Sequence, residues 1–81
     1  MRIIAEIPYS TCKVSIFYMN QKYLIKIEQG MFEQTYKISE LDYVITGVED
    51  IKKIVNEEFM KSVLEIFLSM NAVYAQALKD Y

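Results

Sequence analysis

The sequence predicts an α+β domain in two layers: an antiparallel four-stranded β-meander, then a short and a long α-helix packed on one sheet face. Two patterns predict this fold. Apolar residues alternate with a period of two in the first half of the chain, and from residue 48 onward they recur with the period of a helix. The chain has 81 residues, with only two Gly and one Pro, and 53% of its residues are hydrophobic. This length favours a single domain, which we place at residues 1–81.

The clearest strand pair lies in residues 12–29. Asn20–Gln21 favours a two-residue turn, because Asn tolerates positive φ. A turn there pairs Met19 with Lys22 and brings Lys13 opposite Glu28. Opposite charges in directly facing positions support this register. The register also gathers the apolar residues of both strands on one face, namely Val14, Ile16, Tyr18, Tyr23, Ile25 and Ile27.

A glycine predicts the next turn, at Gln29–Gly30, and the fourth strand follows it. This turn pairs Glu28 with Met31, and it places Gln34 opposite Ile25 on the apolar face. A buried amide needs hydrogen-bond partners, because leaving it unpaired costs about 1–3 kcal/mol. We therefore expect Gln34 at a sheet margin or bonded to a backbone group.

The first strand is predicted at residues 2–7, ahead of the hairpin. Strict alternation places Ile3, Ala5 and Ile7 on one side. Pro8 ends the strand, since proline has no N–H to donate to the ladder. A short connection follows it, so this strand pairs antiparallel with the second.

Two helix starts are visible in the second half of the chain. Thr46 followed by Glu49 is a capping-box pattern, and it predicts a short helix from Val48 to about Val55. Asn56, followed by two carboxylates, begins a second helix that no Gly or Pro interrupts. The short helix presents one apolar stripe, formed by Val48, Ile51, Ile54 and Val55.

The long helix carries more apolar surface than one sheet face needs. Its apolar sector covers well over half of its circumference. As one helix, residues 56–80 span about 37 Å, whereas strands of seven or eight residues reach about 23–27 Å. About 10 Å of apolar helix then extends beyond the sheet. The alternative is that the helix bends near Ser69–Asn71 and folds back.

An apolar surface of this kind usually marks an interaction site, and two-fold pairing is the commonest way to cover it. The leading hypothesis is a non-enzymatic interaction or homodimerisation module, with a heterologous protein as the other possible partner. The predicted interface consists of Phe67, Leu68, Met70, Val73, Tyr74, Ala77, Leu78 and Tyr81.

A small-ligand-binding domain is the alternative function. Tyrosines between sheet and helices can line a pocket with their hydroxyl groups at its mouth. The predicted ligand-binding residues are Tyr18, Tyr23, Gln34, Tyr36 and Tyr74.

The composition argues against catalytic, metal-binding and nucleic-acid-binding functions. One Cys and no His leave no base for a cysteine nucleophile and no thiolate-rich zinc site, and the sequence lacks phosphate-binding, zinc-protease and calcium-loop motifs. A net charge of −2 is a poor match for nucleic acid. We therefore expect no enzyme activity, no cofactor, no metal ion and no nucleic-acid partner.

The sequence also shows neither a signal-peptide pattern nor a membrane-spanning segment. Glu6 interrupts the first apolar run, which therefore does not read as a signal peptide, and the uncharged segment 66–78 is too short to span a bilayer. A single Cys12, in phase with the apolar face of its strand, fits a reducing compartment. We expect a cytoplasmic protein that does not bind membranes. The strand-then-helix layout loosely resembles small bacterial proteins, and no motif identifies a family.

Overall fold

The computed structural model describes residues 2–81 and has the α+β architecture that the sequence predicts. Four antiparallel strands form one sheet in the order β1-β2-β3-β4, and two helices follow. The elements are β1 (Arg2–Ile7), β2 (Lys13–Met19), β3 (Lys22–Gln29), β4 (Phe32–Ser39), α1 (Val48–Ile54) and α2 (Glu57–Leu78).

The β2–β3 hairpin has the predicted register. Met19 pairs with Lys22, and Lys13 pairs with Glu28 at the far end. The turn residues Asn20 and Gln21 have φ values of 50° and 63°. Two consecutive positive φ angles are those of a type I′ turn, whose twist matches that of the flanking strands.

The β3–β4 turn lies one position later than predicted, which changes the register by two residues. Gly30 has a φ of 59° and occupies the first central position of the turn, where a type II′ turn places glycine. Gln29 therefore pairs with Phe32, and Gln34 lies opposite Ile27 instead of Ile25. A shift of two residues preserves which side chains share a face, so the apolar face stays as predicted.

A β-bulge in β1 corrects the predicted alternation of that strand. Ile3 pairs with Phe17, but Ala5 pairs with Ile16, so Ile4 is an extra residue. A bulge reverses the sides on which the following residues lie. Ile4 consequently packs against the core beside Ala5 and Ile7, whereas Ile3 is exposed. The prediction that Ile3 shares a side with Ala5 and Ile7 was therefore wrong.

Helix α1 begins at Val48, as predicted, but its cap differs from the capping-box prediction. Gly47 is the N-cap residue, and no side chain caps the helix. Instead, the backbone N–H and the hydroxyl of Thr46 donate to Oδ2 of Asp50, at 2.8 and 2.7 Å. These bonds, the backbone bond first, lower the pKa of Asp50 below its ordinary value. Of the predicted stripe, Ile51 and Val55 are buried, while Ile54 is exposed.

Replacement of this carboxylate is expected to destabilise the protein at neutral pH but not in strong acid. Because the pKa of Asp50 is lower in the folded state, its contribution is present above the unfolded value near 3.8 and disappears as the pH falls through the folded value. Asp50→Asn should therefore lower the melting temperature at about pH 7, and the difference from the parent should shrink as the pH falls below 3.8. The control is Glu49→Gln, which removes a neighbouring carboxylate paired with Lys52 on the surface at 3.5 Å. Equal effects of the two substitutions at every pH would contradict this account.

Helix α2 starts where predicted and runs unbroken to Leu78. Oδ1 of Asn56 accepts a hydrogen bond from the backbone N–H of Phe59 at 2.9 Å, which caps the helix. The 22 residues pass through Ser69–Asn71 without the alternative bend. The helix therefore measures about 33 Å, and the longest dimension of the molecule is 48 Å.

Three contacts show how α2 lies over β4. Tyr36 contacts Phe59 with ring centroids 5.3 Å apart, and Gln34 donates from Nε2 to the carbonyl oxygen of Val63 at 2.9 Å. Phe32, at the start of β4, meets Tyr74 edge-on with ring centroids 5.3 Å apart. The helix thus runs antiparallel to β4 and extends past the end where β4 begins.

The core lies between the helices and the apolar sheet face. Residues from β2, β3, α1 and α2 meet there, and Cys12 is buried with them, as its phase predicted. The fully buried side chains of this cluster include Val14, Ile16, Ile25, Ile27, Ile51, Met60 and Val63.

Candidate interaction surface

The distal half of α2, residues 66–78, carries no charged side chain on any face. The sheet covers only one side of it. Leu68 is 73% exposed, Val73 is 71% exposed and Ile66 is 45% exposed. A helix surface in water normally carries charged residues opposite its apolar stripe. This segment is therefore apolar on its exposed sides as well as on its covered side.

The predicted interface residues fall into two groups. Phe67 is only 2% exposed and belongs to the core of its own chain, so it does not contribute to the exposed surface. Met70 is half-buried and packs against the same core. The remaining six are exposed in the structure, namely Leu68, Val73, Tyr74, Ala77, Leu78 and Tyr81.

An apolar groove runs between the distal half of α2 and the start of β4. Its volume is about 540 Å³, and Phe32 lines it from the sheet. The interface prediction omitted Phe32 and Ile66. The seven-residue spacing of Phe59, Ile66 and Val73 was the signal for Ile66, whereas no local pattern indicated Phe32. The helix contributes Ile66, Ser69, Met70, Val73, Tyr74 and Ala77 to the lining.

A second groove lies on the other side of Tyr74. It is bounded by the β3–β4 turn and by Leu68 and Asn71 on the helix. Met31, at the tip of the turn, is exposed there. Both flanks of the overhanging helix therefore offer apolar surface.

A cleft of about 330 Å³ lies at the opposite end of β4. Ile38 on β4 and Phe59 on α2 form two of its walls, and the connection from β4 to α1 closes it with Tyr43 and Ile45. Tyr43 and its neighbour Val44 are exposed. This cleft and the groove at Phe32 lie at the two ends of the same edge strand.

The five predicted ligand-binding residues do not line one cavity. Only Tyr36 lines the cleft, and its hydroxyl donates to Oε1 of Gln34 at 2.5 Å. Tyr18 packs against Tyr23 with ring centroids 4.8 Å apart, and Tyr74 lies in the groove at the other end. The polar groups of Tyr18, Gln34 and Tyr36 are bonded within the chain, and the five residues share no pocket.

One tyrosine hydroxyl is held by a carboxylate. Tyr18 donates a hydrogen bond to Oε1 of Glu40. This bond, together with partial desolvation, raises the pKa of Tyr18 above its ordinary value of 10.0. A phenol held in this way is a structural link between β2 and the chain segment after β4, and it is not activated for proton transfer near neutral pH.

Metal-binding and membrane-spanning features are not seen in residues 2–81. No three His, Cys, Asp or Glu residues in this part of the chain are arranged to hold a metal ion. None of its helices combines the length and the hydrophobicity that crossing a bilayer requires. Comparisons with family models, with curated proteins and with solved structures found no match to this chain.

Proposed function

We propose that this chain is a non-enzymatic homodimerisation module of the cytoplasm and that α2 supplies its contact surface. The observation that carries the proposal is the uncharged, exposed distal half of α2, with Leu68 and Val73 both more than 70% exposed. Apolar patches of this extent on a small protein usually mark an interaction surface.

The exposed area fits a specific interface. Exposed fractions range from 43% for Tyr74 and Leu78 to complete exposure for Tyr81. With roughly 200 Å² on a large side chain, the exposed parts of the six large apolar residues present about 750 Å² over both flanks of the helix, namely Ile66, Leu68, Val73, Tyr74, Leu78 and Tyr81. A standard interface buries about 800 Å² on each partner. The surface is thus close in size to one side of a dimer.

The chemistry of the surface favours a second copy as the partner. A second copy offers equally uncharged apolar surface, so covering the distal half of α2 with it buries no unpaired charge. A two-fold contact also covers both surfaces at once. A heterologous partner would need an equally apolar surface.

Substitution on the groove side of α2 tests the proposal. We expect the parent protein to be a dimer at micromolar concentration and Val73→Glu to shift it to monomer, because dimerisation would bury the new carboxylate without a partner. The matched control is Gln76→Glu, which adds the same charge at an exposed polar position that lines neither groove and lies on the side of the helix opposite buried Phe67. Sedimentation equilibrium gives the mass, and circular dichroism verifies that both variants fold.

Native mass spectrometry of the freshly purified protein separates the remaining outcomes. A twofold mass supports the dimer. A monomeric mass with a second polypeptide bound would assign the surface to a heterologous partner. A monomer that stays monomeric at micromolar concentration would refute the proposal.

A further inference from the structure

Strand β4 is an open edge of the sheet. It is the last strand in the order β1-β2-β3-β4 and spans eight residues without a bulge. The other edge, β1, is interrupted by its bulge at Ile4, and bulges protect edges from pairing. Within residues 2–81, no backbone hydrogen bond outside the regular ladders reaches residues 33, 35 or 37.

The turn geometry identifies which backbone groups of β4 point outward. In a two-residue hairpin, the residues that flank the turn form a hydrogen-bonded pair, here Gln29 and Phe32. The N–H and C=O groups of every second residue from Phe32 onward therefore face β3. Those of Glu33, Thr35 and Lys37 face away from the sheet, where another strand can bind them. The side chains of all three are exposed.

Charge selects one register for pairing β4 with a second copy of itself. An antiparallel two-fold centred on Thr35 places Glu33 opposite Lys37 of the partner subunit, and the symmetry creates the same pair twice. Centres on Glu33 or on Lys37 would oppose like charges, which destabilises a sheet. Centres on residues 34 or 36 would leave Glu33 opposite Thr35 or Ser39, with no opposite charge. The Thr35 centre also lies near the middle of the strand, so seven residues overlap.

The same register also brings together the apolar surfaces at the two ends of β4. It places Phe32 opposite Ile38 of the partner subunit. Phe32 belongs to the groove under the distal half of α2, and Ile38 belongs to the cleft at the other end of β4. Each groove thus lies beside a cleft of the other copy. The overhanging residues Ile66 and Val73 then have an apolar surface to contact.

We propose that two copies join along β4, in antiparallel register about Thr35, to form one continuous eight-stranded sheet. This inference rests on the proposed homodimer and specifies the contact between its two copies, called here the β4 joint. The pairing adds about six backbone hydrogen bonds between Glu33, Thr35, Lys37 and their counterparts. The α2 helices of the two copies lie on the same face of the combined sheet and run antiparallel to each other.

Cysteine cross-linking tests the register. Facing residues in a hydrogen-bonded pair have Cα atoms about 5.5 Å apart, within the range for a disulfide. Thr35→Cys should therefore form a disulfide-linked dimer under mild oxidation. Lys37→Cys is the matched control, because two copies of residue 37 lie about 14 Å apart in this register. A mixture of Glu33→Cys and Lys37→Cys proteins should cross-link, whereas neither alone should. Cys12 is present in every variant, so its background is the same.

Charge exchange provides a second measurement. Glu33→Lys alone opposes like charges at both ends of the joint, and we expect dimer dissociation to become at least about tenfold easier. The double variant Glu33→Lys with Lys37→Glu restores opposite charges and should return to within about threefold of the parent.

The outcomes separate this inference from the proposed function. A dimer with Thr35→Cys cross-linking well above the Lys37→Cys control supports the joint. A dimer that Val73→Glu dissociates, but in which Thr35→Cys cross-links no better than Lys37→Cys, leaves the proposed function standing and overturns the β4 joint. A parent protein that is monomeric at micromolar concentration overturns both.

Discussion

Phe67→Ala is expected to lower the free energy of unfolding by about 3–5 kcal/mol, the usual cost of truncating a buried phenylalanine. Phe67 is 2% exposed and packs in the cluster that joins sheet and helices. Its removal takes apolar area out of the core and leaves a cavity that the surrounding strands can only partly fill. Chemical denaturation monitored by circular dichroism gives the value.

The adjacent residue provides the control for Phe67. Leu68 is 73% exposed, so Leu68→Ala should change the free energy of unfolding by less than about 0.5 kcal/mol. Both substitutions need to be measured in the Val73→Glu background, which is expected to be monomeric, because Leu68 also belongs to the proposed interface and a dimer would add the loss of interface contacts to its effect. Similar losses for Phe67→Ala and Leu68→Ala would show that the assignment of the two faces of α2 is incorrect.

Gln34→Met is expected to destabilise the fold by about 1–3 kcal/mol, although methionine has a similar length. The Gln34 amide connects β4 to α2 because it donates to the Val63 carbonyl at 2.9 Å and accepts from the Tyr36 hydroxyl. Its loss leaves the half-buried hydroxyl of Tyr36 without its partner. The Val63 carbonyl keeps its bond within the helix, so the unpaired hydroxyl accounts for much of the effect.

A double variant separates the hydrogen bonds from packing. Replacing both partners of a buried hydrogen bond with apolar groups is often nearly neutral. Gln34→Met with Tyr36→Phe should therefore recover at least half of the stability that Gln34→Met loses. If the two losses simply add, the hydroxyl is satisfied by solvent, and the contribution of Gln34 lies in packing.

The contacts of Phe67 and Gln34 show that different sides of α2 have different roles. One side, through Phe67 and the Val63 carbonyl, stabilises the chain's own core, and the sides next to it remain apolar and exposed. A mutation scan along this helix should alternate between loss of folding and loss of association with the period of the helix. That alternation distinguishes an interaction helix from one whose whole surface serves folding.

Local sequence patterns predicted much of the fold. The β2–β3 register followed from alternation and from Asn20, because one-residue slips would move every apolar side chain to the wrong face. The start of α2 at Asn56 followed from its capping side chain, and the length of the helix followed from the lack of Gly and Pro. Such features depend on neighbours in the chain, and the sequence contains these directly.

The predictions from sequence were wrong where the local conformation depends on packing against another strand or on the exact position of a turn or cap. The bulge at Ile4 depends on how β1 fits against β2, and the β3–β4 turn depends on which position accommodates Gly30 at a φ of 59°. Similarly, Asp50 rather than Glu49 interacts with Thr46, because the N-cap residue is Gly47, one residue after Thr46.

The sequence by itself determined that this chain forms a meander and a helix too apolar for one sheet face, because periodicity and composition encode amphipathicity residue by residue. Only the tertiary structure decided that Phe67 lies in the core, that Phe32 joins the helix in a groove, and that β4 is left as a regular open edge. Those facts depend on the rotation of α2 over the strands and on the order of the strands. Both are set by packing between segments that are distant in sequence, which no local pattern records.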